Sequence, residues 1–116
     1  MGNPKVIYIS GPITGVAEYW KPFEQAEEQL TGMGYTVLTP SRLPSGMSKA
    51  QYMRIDMAMI DSADAVLFLP GWSNSHGCLT ERAYCLYTDK PTVHIRHFEP
   101  TFWDVIRAQL KEVLGE

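Results

Sequence analysis

The sequence predicts an α/β fold, a small three-layer sandwich on a mainly parallel sheet, and two observations carry that prediction. Short β-branched or apolar runs alternate along the chain with segments of helical periodicity, the order that yields parallel strands joined by crossover helices. One of those runs, "DAVLFLP" at 64–70, is almost continuously apolar, as a strand covered on both faces must be.

The elements follow in order. "KVIYIS" (5–10) is a first strand that ends in the turn signal "GPITG". From about Glu18 to Met33, Trp20, Phe23, Ala26 and Leu30 recur at helical spacing with acids and glutamines between them, and "GMG" closes the helix. "YTVLTP" (35–40) is a second strand stopped by Pro40, and "SRLPSGMS" is a breaker-rich loop able to cover a ligand. A helix over about 48–62 leads into the apolar strand, and another spans about 76–87. "PTVHIR" (91–96) is the last strand, and residues 101–114 form an amphipathic helix through Trp103, Ile106, Leu110 and Leu114. This is a Rossmann-like arrangement in which ligands bind beyond the carboxyl ends of the strands, where "SGPITG" and "PGWSNSHG" both lie.

A chain of 116 residues suits one domain over residues 1–116, burying roughly two thirds of its unfolded surface. With a formal charge of −3, no basic face is offered to polymeric nucleic acid. The apolar runs are too short to span a bilayer and the N-terminus lacks a signal-peptide core, so no membrane partner and a cytoplasmic location are expected. Cys78 and Cys85 are seven residues apart on one helix, where a disulfide is not geometrically reasonable. His94 and His97 point to opposite faces of a strand, so no metal site has a good ligand set. No cofactor is expected.

Two acids stand out. On the 48–62 helix, Met53, Met57 and Ile60 form an apolar stripe with Asp56 beside them. A buried carboxylate without a partner costs several kcal/mol, so Asp56 either faces a wet pocket or sits at the stripe's edge, reaching water or capping a neighbour. Asp61 and Asp64 read as structural residues at a helix end and a strand start. On the 76–87 helix, with Asn74 or Ser75 as N-cap, Leu79, Ala83 and Leu86 share one face and Cys78, Glu81 and Cys85 the other. Near the helix start the macrodipole favours an ionised Glu81, as a nucleophile requires. The alternative is a first-turn acid that satisfies the dipole or pairs with Arg82 or another base. Backbone N–H groups around Ser75, His76 and Gly77 are placed to receive an anion. His76 either helps to bind an anion or is a surface residue, the commoner role of a lone loop histidine. Gly11 either makes a turn or lets the backbone approach a sugar or phosphate closely, and Trp72 is a core or interface residue that could stack on a base.

Four segments, "YISGPITG", "RIDMAMIDSADAVLFL", "SNSHGCLTE" and "AYC", occur in this order with this spacing. Through them the chain resembles the nucleoside 2-deoxyribosyltransferase superfamily, especially its short 2′-deoxynucleoside 5′-monophosphate N-hydrolases and small phage-type members of unassigned function. The resemblance covers about residues 5–96. It implies that Glu81 is the nucleophile and that Asp56 engages or protonates the leaving base. It places Tyr8, Ser10 and Gly11 where the family's first loop meets the nucleotide; together with Ile13, Trp72, Ser75 and Gly77 they are the candidate substrate-binding residues. Ser75 matches the N-hydrolases, whereas Pro12 stands where they carry another phosphate-contacting serine.

The resemblance implies cleavage of an N-glycosidic bond in 2′-deoxynucleosides or their 5′-monophosphates by double displacement, the sugar passing from Glu81 to water or to another base. It also implies a homodimer or higher homo-oligomer. Two other readings stay open: a nucleotide-binding or sensing module without turnover, and an N-glycosidase acting on NAD or ADP-ribose derivatives.

Overall fold

The computed structural model describes residues 2–96 and 102–116. Four strands, β1 (Val6–Ser10), β2 (Thr36–Leu38), β3 (Ala65–Phe68) and β4 (Thr92–His94), form an all-parallel sheet in the order β2-β1-β3-β4. Helices α1 (Trp20–Gly32), α2 (Lys49–Ser62), α3 (His76–Tyr87) and α4 (Phe102–Leu114) complete the α/β layers. The strands are shorter than their apolar runs. Thr39 leaves β2 to cap a 3₁₀ turn at Pro40–Arg42, accepting a hydrogen bond from the Ser41 N–H, and the predicted 91–96 strand narrows to Thr92–His94. His97 and Thr101 lie outside the described residues.

Strand alternation divides the core into two layers. Ile7 and Ile9 of β1 and Leu67 of β3 face α1 and α4, where they pack with Phe23, Leu30, Ile106 and Leu110. Tyr8, Val66 and Phe68 point the other way, against Ile60 of α2 and Cys85 of α3. Each such side chain contributes about 1.5–3 kcal/mol when fully buried. The uneven feature lies in the second layer, where Ser10, Asp56 and Glu81 are buried among these apolar groups.

Local chemistry fixes the helix starts. Ser48 and Gln51 make a reciprocal capping box on α2, with the Gln51 N–H 3.1 Å from Ser48 Oγ and the Ser48 N–H 2.8 Å from Gln51 Oε1. Ser75 caps α3, its Oγ accepting from the Cys78 N–H at 3.3 Å. Asp61 accepts from the Tyr84 hydroxyl and Asp64 from the Val6 N–H, the structural roles expected of both.

At the carboxyl end of the sheet the two loops touch. The Leu69 N–H donates to the Ser10 carbonyl at 2.8 Å, and Gly71 turns with a φ of 86° beside Pro12. A Cβ on Gly11 would lie 2.8 Å from Leu69 Cδ1 and 3.0 Å from Phe23 Cζ. The close approach that Gly11 permits is therefore to the protein's own core. Gly11→Ala is expected to cost about 1–3 kcal/mol through overpacking, read as a lower urea midpoint at unchanged slope; an unchanged midpoint would show that Leu69 can swing aside.

Candidate active site

The site grows from three elements. In β1 the two-residue period that sends Ile7 and Ile9 to one layer sends Tyr8 and Ser10 to the other. In α2, Asp56 stands one turn before Ile60 and so faces the sheet with it. In α3, Glu81 lies between Cys78 and Cys85 on the buried face.

Burial is nearly complete: Tyr8 is 0%, Ser10 1%, Glu81 5% and Asp56 8% exposed. Tyr8 Oη, Ser10 Oγ, Asp56 Oδ1 and Glu81 Oε1 all lack a hydrogen-bond partner of good geometry. The groups nonetheless act on one another. The hydroxyls of Tyr8 and Ser10 favour the charged form of Glu81, and Asp56 opposes it. Orphaned buried polar groups cost about 1–3 kcal/mol each, and carboxylates more. Among the described residues the two ion pairs, Lys21–Glu18 and Arg42–Glu27, lie elsewhere, so no base offsets this cost.

Electrostatics follows from the burial. Desolvation, then the adjacent Asp56 charge, raises Glu81 to about 7, and desolvation raises Asp56 to about 6. Tyr8 is driven far above the ordinary phenol range, chiefly by burial and then by the Glu81 charge. Near neutral pH the pair thus holds one shared proton, because two adjacent buried carboxyls do not readily ionise together.

Several expectations need correction. Glu81 is not a first-turn acid: it lies in the second turn of α3, and burial with the Asp56 charge outweighs the dipole expected to keep it ionised. Nor does it pair with Arg82, whose Nε donates to His94 Nε2 at 3.2 Å while its guanidinium sits 5.2 Å from the Trp72 ring centroid. Asp56 is not at the stripe's edge, since it is more buried than Met53 or Met57. The Ser75 N–H is taken by the Trp72 carbonyl at 3.1 Å, leaving those of His76 and Gly77 at the helix start.

The remaining predicted residues are divided. Gly77 has open space where a Cβ would stand, with Ser75 Oγ the nearest atom at 3.9 Å. Ile13 packs against the α1/α4 core, in the layer away from Glu81. The Trp72 ring contacts Phe68 and His94, with centroids 5.7 and 4.8 Å away. His94 also stacks on Phe68 at 4.9 Å, and its pKa is lowered by burial and by the charges of Arg82 and Arg96. Periodicity gave no warning of this Arg82–His94–Trp72 cluster, because its members come from a helix, a strand and a turn.

Among the described residues, no group of three or more His, Cys, Asp or Glu is placed to hold a metal ion, and no helix is long and apolar enough to cross a membrane. A cavity of about 620 Å³ between β4 and α4, lined in part by Val93, Phe102 and Ile106, includes none of the four buried polar side chains.

An all-parallel Rossmann-like sheet with a buried acid pair in one helical layer defines the class of architecture. Residues 5–94 match the family described as Domain of unknown function (DUF4406), and the chain belongs to that family. In structure it is similar to the 2-deoxyribosyltransferase of the psychrotolerant bacterium Bacillus psychrosaccharolyticus, a biocatalyst for nucleoside synthesis. The TM-score is 0.67 at 20% identity, with 87% of this chain and 89% of that one covered, a likeness of fold. No curated protein matches the sequence.

Proposed function

We propose that the protein cleaves the N-glycosidic bond of 2′-deoxynucleosides or their 5′-monophosphates, with Glu81 as nucleophile and Asp56 as proton donor. The observation that carries this reading is the Asp56–Glu81 pair: two carboxyl groups buried together, with no ion-paired base among the described residues, beside the hydroxyls of Tyr8 and Ser10. A fold does not keep such a pair for stability, because each member costs free energy there. The fold likeness to a 2-deoxyribosyltransferase supports the choice of substrate class.

The chemistry needs one ionised and one protonated carboxyl, which a shared proton supplies. The pair shares one proton, and attack by Glu81 requires that this proton rest on Asp56. A base nitrogen seated at Asp56 favours that arrangement, and the Tyr8 and Ser10 hydroxyls stabilise the charge left on Glu81. Glu81 then bonds to C1′ as the C1′–N bond breaks. The electron pair leaves with the base, which takes the Asp56 proton. In the second half, water or another base attacks C1′, Asp56 takes the proton from that attacker, and Glu81 is released as a carboxylate.

The test is to incubate the protein with each 2′-deoxynucleoside, each 5′-monophosphate and NAD, with and without a second free base, and to follow released base by chromatography. Release from a deoxynucleoside or its monophosphate is expected. Release from NAD alone would replace the substrate class, and stoichiometric binding without any release would favour a sensing module.

A further inference from the structure

The breaker-rich loop between β2 and α2 is fastened at both ends. Upstream, Arg42 pairs with Glu27 of α1 at 2.8 Å, and the Leu43 N–H donates to the Pro40 carbonyl at 3.2 Å. Downstream, Tyr52 of α2 reaches back with its phenol: the hydroxyl donates to the Pro44 carbonyl at 2.6 Å and accepts from the Met47 N–H at 3.4 Å. Gly46, with a φ of 96°, makes the turn between those two contacts. One side chain therefore clasps both ends of the Pro44–Met47 turn.

Tyr52 also stands one turn from Asp56. Residues three and four apart share a helix face, and burial along this face is graded: Ile60 is 0% exposed, Asp56 8%, and Tyr52 and Met53 are half-buried. α2 runs from the carboxyl end of β2 back to the start of β3, so its first turns lie at the end of the sheet where ligands bind. A ligand that reaches Asp56 along this face passes Tyr52 and Met53, beside the turn that Tyr52 holds. Leu43 and Met47, which flank that turn, are half-buried as well. Among the described residues, neither they nor Tyr52 and Met53 belong to or pack on the two core layers. These four side chains form an apolar rim outside the core, on the approach to a buried acid.

We infer that Tyr52 is a positioning residue: by holding the Pro44–Met47 turn it builds the wall of the subsite that takes the leaving base. The inference rests on the proposed role of Asp56 as the acid that meets that base. The Tyr52 hydroxyl gives its proton to the turn and a lone pair to it as well, so it offers the base ring surface alone. Leu43, Met47 and Met53 add apolar surface, the flexible methionines fitting themselves to its outline. The subsite thus sets one carboxyl, Asp56, behind an apolar rim. That chemistry suits a flat, neutral heterocycle and is wrong for a sugar or a phosphate. Once the turn is released the rim is assembled only part of the time, and apparent affinity for the base falls in proportion.

Isothermal titration calorimetry with free adenine, free cytosine and 2-deoxyribose 5-phosphate tests this without turnover. Tyr52→Phe keeps the ring and removes the clasp. It is expected to weaken binding of both bases about tenfold and to leave that of 2-deoxyribose 5-phosphate unchanged, a split that general loss of structure does not produce. Limited trypsin digestion reads the turn directly. Cleavage of the Arg42–Leu43 bond is expected to be slowed by bound base in the wild type, and to be faster and unprotected in Tyr52→Phe, while cleavage after Arg107 is the same in both. Bases that bind Tyr52→Phe as tightly as the wild type, or a wild type that binds no base, would overturn the role of Tyr52. Base binding that is lost in the variant, from a wild type that releases no base from any nucleoside or nucleotide, would uphold the subsite and remove the proposed reaction instead.

Discussion

Replacing Glu81 with glutamine is expected to lower kcat for base release by about ten-thousand-fold or more, while the substrate still binds. Glutamine keeps the size of the side chain between Cys78 and Cys85 but has no carboxylate to bond to C1′. Asp56→Asn is expected to do less, about a hundred- to ten-thousand-fold, because a base already protonated by solvent still departs. The two variants should therefore separate in pH dependence. Asp56→Asn retains more activity as the pH falls and the base picks up its own proton, whereas Glu81→Gln stays inactive throughout. Wild-type activity should trace a bell, its acid limb set by ionisation of one carboxyl and its alkaline limb by loss of the shared proton. Chromatographic assay of released base from pH 4 to 9 gives all three curves. Base release by Glu81→Gln at more than about a hundredth of the wild-type rate would remove Glu81 as nucleophile.

How much of this was legible in the sequence depends on distance along the chain. The helix periods placed Asp56 beside Ile60 and Glu81 between two cysteines, and the structure keeps both arrangements. Those are contacts within one helix, where spacing fixes direction. The relation of Tyr8 and Ser10 to Glu81 joins β1 to α3 across some seventy residues, and no local pattern contains it. The alternation of β1 shows only that Tyr8 and Ser10 share a face; which helix covers that face is decided by the sheet order. A different gap concerns α3, whose pattern has two apolar faces. A hydrophobicity count gives no reason to bury the acid-bearing face rather than Leu79 and Leu86, yet the structure buries the acid. Strand ends were also overextended, because the apolar residues Leu69, Pro70 and Ile95 continue past the last ladder pairing.

The buried acids also make a prediction about stability that runs against ordinary experience with carboxylates. An acid held by a cation has a lowered pKa and stabilises the fold as pH rises. Here both pKa values are raised, from 4.5 to about 7 for Glu81 and from 3.8 to about 6 for Asp56, so the sign reverses. Between about pH 4 and pH 7 the folded protein holds protons that the unfolded chain has released, and stability falls as pH rises through that window. Above it the penalty is complete, at roughly 1.4 kcal/mol for each pKa unit. Glu81→Gln removes one charge and relieves Asp56 of its neighbour, and is therefore expected to stabilise the fold at pH 8 by about 2–3 kcal/mol. At pH 4.5, where both acids are already protonated, the gain should nearly vanish. Urea unfolding of the wild type and Glu81→Gln at the two pH values isolates the effect, because the remaining surface carboxylates contribute equally to both proteins. A variant less stable than wild type at pH 8 would mean that the Glu81 charge is satisfied within the site, and the shared proton on which the proposed chemistry rests would have to be abandoned.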